Sequence, residues 1–409
     1  MALDTVTAGD VLQEIYSPAR IADQQHYMSE MWKRMPSASE TIAGESLRFA
    51  VETVTDQSYA FVPEGQAIPS PNNDQVVQAV LNARPLLAQI QMSGLLRAVS
   101  GNAYAFADVL QRNIDNKIRS ITTYLEGTIA RDGTGQLALV NEPSAVPDTT
   151  GGNLNVDNPG TTYLRRGMNI DFLDTSTNVK EGSAKITDVD HANDAITLDT
   201  DISTLIGDNS KLFLSGTQTS GSVAAREPNG LADQVKTSGT WNGLALATYP
   251  ALKGNVLALS SVDITEDALQ RAQHRVEIEM GISPQNAEGW VVFSHTNQRR
   301  KYLELVRSLK QFTSLSLDAG YTALSFNGVP WLTSNQMDPT TIYMGDWSKF
   351  QKFWTPFGPL QIDSEYNGST IKWLQGFDAL VIVMRTYLQF AIRCPKAFVR
   401  ITGLNQASF

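Results

Sequence analysis

The sequence predicts an α+β chain that carries a small all-β module, and three stretches support this. One long helix runs over residues 102–131, where Phe106, Leu110, Ile114, Ile118, Ile121, Leu125 and Ile129 recur at steps of three and four, the spacing of a single helix face. A period-two strand precedes it at Leu47, Phe49 and Val51. Between Tyr163 and Val223 come short alternating segments punctuated by glycine, the pattern of a small β-barrel.

Composition sets limits on function. A chain of 409 residues suggests two or three domains, and 42% hydrophobic with 18% charged residues is the balance of a folded, soluble protein. A net charge of −10 argues against a main task of gripping nucleic-acid phosphates. A single cysteine excludes an intrachain disulfide framework and a four-cysteine zinc site. Cys394 lies in an apolar run beside Pro395 and reads as a buried thiol. Residues 1–10 have neither the basic region nor the apolar core of a secretory signal, and no run of eighteen apolar residues could span a membrane. Cytosolic synthesis is therefore expected.

In chain order, residues 1–42 read as short helical or extended pieces. Ile21, Met28, Met31 and Trp32 stand among polar residues and suit a partner's surface. Next comes a two-stranded arm. Leu47, Phe49 and Val51 alternate with Arg48, Ala50 and Glu52, and Ala88, Ile90 and Met92 alternate with Gln89 and Gln91 as the expected return limb. Between them, Pro63-Glu64-Gly65 and the run Pro69-Ser70-Pro71-Asn72-Asn73 mark a turn-rich tip. Limbs of about fifteen residues project on the order of 50 Å. A lone ribbon is marginal in water, so support from a neighbouring subunit is expected; the alternative is a hairpin folded back on its own domain.

The long helix would be a rod of about 45 Å, with Gly133 at its C′ position because glycine enters the left-handed region freely. Gly127 lowers helix propensity by about 1 kcal/mol relative to alanine, which suits either a bend or close packing. Residues 143–160 form a Pro/Gly/Asn/Asp-rich linker. In the β-module Met168, Ile170 and Phe172 alternate with polar residues, as do Ile196 and Leu198, and 211–215 gives another short strand. Eleven acidic residues against six basic ones lie between 151 and 228, a local balance of 6 − 11 = −5. A helix follows Thr265 as N-cap, with Leu269, Ala272 and Val276 as its stripe and Gly281 as its end. Another spans 296–312, with Tyr302, Leu305, Val306, Leu309 and Phe312 on one face. The last quarter is strand-rich, and residues 379–384 are apolar at every position, as in a strand buried on both faces.

Catalytic constellations fail. His26, His191, His274 and His295 show no helical zinc spacing, and there is no HExxH, GxSxG or P-loop. The run Gly133-Thr134-Gly135-Gln136-Leu137-Ala138 follows a helix, whereas a dinucleotide fingerprint follows a strand. The aspartates at 188, 190, 194, 199, 201 and 208 lack the glycine and glutamate of an EF-hand and read as solvated turns. His295 with Arg299 and Arg300 reads as a solvated first helical turn. No enzyme, cofactor or metal is expected.

Two short signatures complete the layout. One is the turn Asp132-Gly133-Thr134-Gly135 after the long helix; the other is Met344-Gly345-Asp346-Trp347-Ser348. With the paired-strand arm ahead of the helix and closing strands around Gly328-Val329-Pro330 and Leu360-Gln361-Ile362, the chain resembles the major capsid proteins of tailed bacteriophages, the Hong Kong 97 fold. The resemblance covers all but the module at 155–225, which looks like the insertion domain some members carry.

It implies an N-terminal arm at 1–42, an E-loop at 43–95, a peripheral domain with its spine helix at 96–142 and 341–409, and an axial domain at 143–154 and 226–340. It further implies inter-subunit contacts through Arg48, Phe49, Phe61, Val62, Pro63, Glu64 and Gly65. The spine turn at Asp132, Gly133 and Gly135 and the motif at Gly345, Asp346 and Trp347 would serve the peripheral domain. Some members crosslink a lysine of the E-loop to a neighbour; residues 46–92 contain no lysine, so the shell would be held non-covalently. The scaffolding extension with which some members begin is not expected ahead of the arm, so scaffolding would be either a separate protein or dispensable.

The function implied is an icosahedral shell of pentamers and hexamers enclosing double-stranded DNA, with a portal protein and separate scaffolding and decoration proteins as partners. Such a shell is assembled in the host cytoplasm and ends as the virion capsid. The acidic balance suits a wall to which DNA does not adhere. Two alternatives stand beside this. One is an encapsulin-type nanocompartment holding cargo enzymes; the other is a monomeric hydrolase or carbohydrate-binding protein built on the β-module.

Overall fold

A single helical turn, α1 (Glu30–Arg34), opens the described part of the chain. The computed structural model describes residues 30–56, 58–67, 69–70, 73–93, 103–141, 154–202, 205–281, 289–309, 324–356, 358–362, 372–373 and 376–406. Met31, Trp32 and Met35 are fully buried in the chain's own main core, not laid along a partner as expected. Ile21 and Met28 lie outside the described residues.

Strand β1 (Ser46–Val54) pairs antiparallel with β2 (Gln75–Asn82), Ser46 opposite Asn82. The expected return limb is instead β3 (Arg84–Ser93), which leaves the ribbon and joins a core sheet. Its alternation explains why: Ile90 and Met92 face the core while Gln89 and Gln91 face outward, the signature of a strand with one covered face. β2 also alternates in burial, with Val77, Ala79 and Leu81 on its covered face, but its sequence places valine on both faces. Ala79 is buried and Val76 is 60% exposed.

Helix α2 (Ala103–Ala130) buries Ile114, Ile118, Ile121, Leu125 and Ile129, the predicted face. The side chains of Phe106 and Leu110 lie outside the described residues. At roughly 1.5–3 kcal/mol for each fully buried aliphatic side chain, these five make a large share of the core. Gly127 packs beside Tyr163, with a Cβ there meeting its ring at 3.4 Å, which supports the close-packing role. The helix closes at Ala130, so Gly133, with φ of 85°, falls one residue beyond C′ and serves the turn into the next strand.

Six strands then close a barrel: β4 (Gln136–Val140), β5 (Leu154–Asp157), β6 (Asn169–Leu173), β7 (Lys180–Asp190), β8 (Ala195–Leu198) and β9 (Lys211–Leu214), in the order β4-β5-β8-β7-β6-β9. Leu137, Val156, Ile170, Phe172, Ile186, Leu198 and Leu212 fill its interior. The barrel begins earlier than the module at 155–225, because β4 follows directly on the glycine turn.

A short helix α3 (Leu231–Gln234) leads to a tight hairpin of β10 (Thr240–Trp241) and β11 (Leu244–Ala245). Beyond it come β12 (Asn255–Val262), α4 (Glu266–Met280), β13 (Trp290–Ser294) and α5 (Thr296–Leu309). Helix α4 matches its sequence signals: the Thr265 side chain accepts from Ala268 N at 3.2 Å, and Gly281 has φ of 65°. His295, ahead of α5, is 6% exposed, which corrects the expectation of a solvated turn.

The remaining strands are β14 (Ser325–Phe326), β15 (Val329–Thr333), β16 (Ile342–Asp346), β17 (Phe350–Trp354), β18 (Gln361–Ile362), β19 (Lys372–Trp373), β20 (Ala379–Ile392) and β21 (Phe398–Leu404). A six-stranded mixed sheet runs β12-β21-β16-β13-β15-β14. In a second sheet β20 is the centre, with β17, β18 and β19 in turn along one edge and β3 along the other. Helix α2 packs over one face of that sheet, where Ile382 and Met384 join Ile90, Met92 and Ile121 in one core, and Ala379 and Val381 on the other face are buried as well.

Candidate functional site

The expected contact residues fall into three places. The first is the ribbon. Its base rests on its own chain: Phe49 meets the buried Trp241 edge-on at 6.2 Å, and Val80 N donates to Asn242 O at 2.9 Å. Phe49 is thus partly covered by its own chain, while Arg48 on the opposite face is exposed. The expected hairpin folded back on its own domain therefore holds for the base only.

Beyond the paired strands, Tyr59 is 79% exposed, Phe61 fully so and Val62 46%. Pro63, Glu64 and Gly65 form the exposed turn, with Gln66 N donating to Pro63 O at 3.2 Å and Gly65 at φ 81°. Residues 49–83 hold Glu52, Asp56, Glu64 and Asp74 and no basic residue. Three large apolar side chains in water on an acidic arm are what an unsatisfied interface looks like.

The second place is the C-terminal end of α2. Asp132 Oδ1 accepts from Thr134 N at 3.0 Å and from Thr134 Oγ1 at 2.7 Å, closing the turn. Gly133 O accepts from Glu227 N at 3.0 Å, and a Cβ on Gly135 would touch Thr217 at 3.0 Å. Behind the turn lies a buried ion pair, Arg131 Nη2 to Glu227 Oε1 at 2.9 Å, with the Tyr124 hydroxyl donating to the same oxygen. Tyr124 and Tyr163 flank the guanidinium at 4.9 and 5.0 Å. Burial pushes the Glu227 carboxyl up, against the pull of Arg131. For Arg131 burial is the largest single influence and works downward, but Glu227, Tyr124 and Tyr163 together outweigh it and hold the guanidinium charged. Gly230, just ahead of α3, lets its segment press on the end of α2, since a Cβ would stand 2.3 Å from the carbonyls of Thr128 and Arg131.

The third place is the segment at 344–348. Asp346 Oδ1 accepts from Ser348 N at 2.9 Å and from Ser348 Oγ at 2.6 Å. Trp347 is 1% exposed and packs 4.3 Å from Phe293, with Phe350 and Phe398 edge-on at 5.9 and 6.2 Å. Gly345 is required because a Cβ would lie 2.5 Å from Phe398. This motif is an aromatic hub of the core. It and the turn at 132–135 both border the cluster that holds α2 to the sheets, and neither reaches the exposed tip.

Sequence reasoning missed two anchors. Glu227 sits alone in a loop with no periodic signal. Lys352, on a strand of alternating aromatics, is 1% exposed: its ammonium donates to Trp32 O at 3.0 Å and lies 4.5 Å over the Trp32 ring. Burial pushes it down to about 8. It fastens the segment after α1, whose Ala38 N and Ile42 N donate to Lys352 O and Trp354 O at 2.8 Å. Cys394 is half-buried, its Sγ 3.6 Å from Met280 Sδ. No helix is long and apolar enough to cross a membrane among the described residues.

No protein-family model matches the sequence, and no curated protein does. Solved structures do match. The capsid asymmetric unit of cyanophage A-1(L) superposes with a TM-score of 0.53 at 10% identity, covering 91% of this chain and 91% of that one. The capsid of a native GTA particle gives 0.48 at 12% identity over 90% and 88%. An encapsulin complex from Synechococcus elongatus gives 0.43 at 9% identity over 93% and 90%. At 10% identity the likeness to the cyanophage capsid subunit establishes a shared fold, strand-rich α+β, over nearly the whole chain.

Proposed function

We propose that this chain is a major capsid protein of the Hong Kong 97 type, many copies of which pack as pentamers and hexamers into an icosahedral shell around double-stranded DNA. One observation carries the reading. On a fold shared with a phage capsid subunit, the ribbon ends in a tip whose Tyr59, Phe61 and Val62 are exposed. A two-stranded ribbon with apolar side chains in water does not stabilise itself; laid across a neighbour it adds to an obligate interface.

The other parts take their roles from this. Helix α2 is the spine, the β20 sheet and α2 form the peripheral domain, the six-stranded sheet with α4 and α5 forms the axial domain, and the barrel is an inserted domain. With no lysine between 46 and 92, cohesion between subunits is non-covalent. The acidic balance suits a wall along which DNA slides. A portal protein and separate scaffolding and decoration proteins complete the particle, which assembles in the host cytoplasm.

The test is to express the chain and image what it forms. Closed shells enclosing genome-length DNA support the proposal. Shells filled with a protein cargo would replace it with a nanocompartment, and a chain that stays monomeric under every assembly condition would end both.

A further inference from the structure

We infer that the barrel is one wall of a receptor groove for the ribbon tip of a second copy of this chain. This rests on the reading of the chain as a shell subunit and names the surface that receives the tip. A groove of about 550 Å³ runs between α2, β3 and the barrel. Lys117 from the helix and Arg165 and Arg166 from the barrel side carry its charge, Arg131 at its floor being paired with Glu227, and no carboxylate lines it. Arg166 also pairs with the exposed Asp188. Among the described residues Lys117 has no ion-pair partner, while Arg165 feels the attraction of the buried Glu126 carboxylate. Ile121, Met168 and Leu87 supply apolar surface, Leu87 being 62% exposed. Among the described residues the outer edge of β3 pairs with no strand, so its backbone groups are open to an added segment.

The occupant is chosen by complementarity. A basic, partly apolar groove fits a segment that is acidic, aromatic and free of cations. Residues 49–83 hold four carboxylates and no basic residue, and they end in exposed Tyr59, Phe61 and Val62. The tip does not fill the groove of its own subunit, since Tyr59 and Phe61 stand in water and no described tip residue lines it. Leu87 lies just beyond the ribbon base at Asn82, whereas the eight paired residues of β2 alone carry the tip about 25 Å away from that base. A second copy must therefore supply it. In this arrangement the barrel takes the place of a covalent link, gripping a lysine-free arm by charge and apolar contact.

Two experiments on assembled particles test this. Carbodiimide joins a carboxylate to an amine in direct contact. In particles of the unaltered chain it is expected to link Lys117 to Asp56, Glu64 or Asp74 of another copy, read by mass spectrometry of the digested shell. Tip carboxylates joined only to lysines elsewhere would overturn the inference. Independently, Glu64→Cys with Ser215→Cys in a Cys394→Ser background is expected to give a ladder of disulfide-linked multimers on oxidation, absent from either single variant. Particles that form without the ladder and without the Lys117 link refute the groove and leave the shell reading intact. Failure of the unaltered chain to form particles refutes both.

Discussion

Arg131 and Glu227 are nearly inaccessible to water, with 4% and 5% of their side chains exposed. They join the end of α2 to the segment that follows the barrel. A buried pair adds little net stability over apolar replacements, but removing one partner strands a charge. Arg131→Met is expected to cost about 3–5 kcal/mol in urea unfolding of the dissociated subunit, and Arg131→Met with Glu227→Met to recover much of that. His295 gives a pH dependence. Burial lowers it from 6.5 to about 4, so between those values the unfolded chain binds a proton that the folded chain refuses. Stability is then full above about pH 6.5 and falls as pH drops towards 4, by up to about 3 kcal/mol; His295→Asn should flatten that slope. At Gly345 an alanine is expected to be destabilising by about 1–3 kcal/mol, measured as a lowered midpoint, because Phe398 and the Ala397 carbonyl must move.

At the scale of elements, local pattern decided what could be read. The long helix, the caps of α4 and the doubly buried β20 each announce themselves within a few residues, through period, capping chemistry or an unbroken apolar run. The ribbon was half legible. Its outgoing strand alternates, but its true return strand, β2, carries valine on both faces and so hides its alternation in burial, and the cleaner alternation of β3 stood in for it. Glu227 and Lys352 were illegible because their partners lie 96 and 320 residues away. Pro63 to Gly65 were found through turn signals and Phe61 and Val62 through the family resemblance alone, and the structure leaves all five exposed. Here stability and assembly should separate. Phe61→Ser is expected to leave subunit unfolding within about 0.5 kcal/mol of the parent, as for a surface change, while sharply lowering particle yield in sedimentation. A comparable loss of subunit stability would mean that Phe61 packs on its own chain.

For the whole molecule, a shared fold fixes architecture and leaves function to particular surfaces. Helix α2 and the two sheets share one large apolar core, while the ribbon tip holds its apolar residues in water. That division, a self-sufficient body carrying one limb that is not, is the physical basis for reading the chain as a subunit. The most direct measurement is the mass and image of the purified chain under assembly conditions, by light scattering with electron microscopy of the same fraction. Closed, hollow particles of megadalton mass are predicted. A single species at 44.8 kDa, unchanged by concentration and salt, would contradict the proposal.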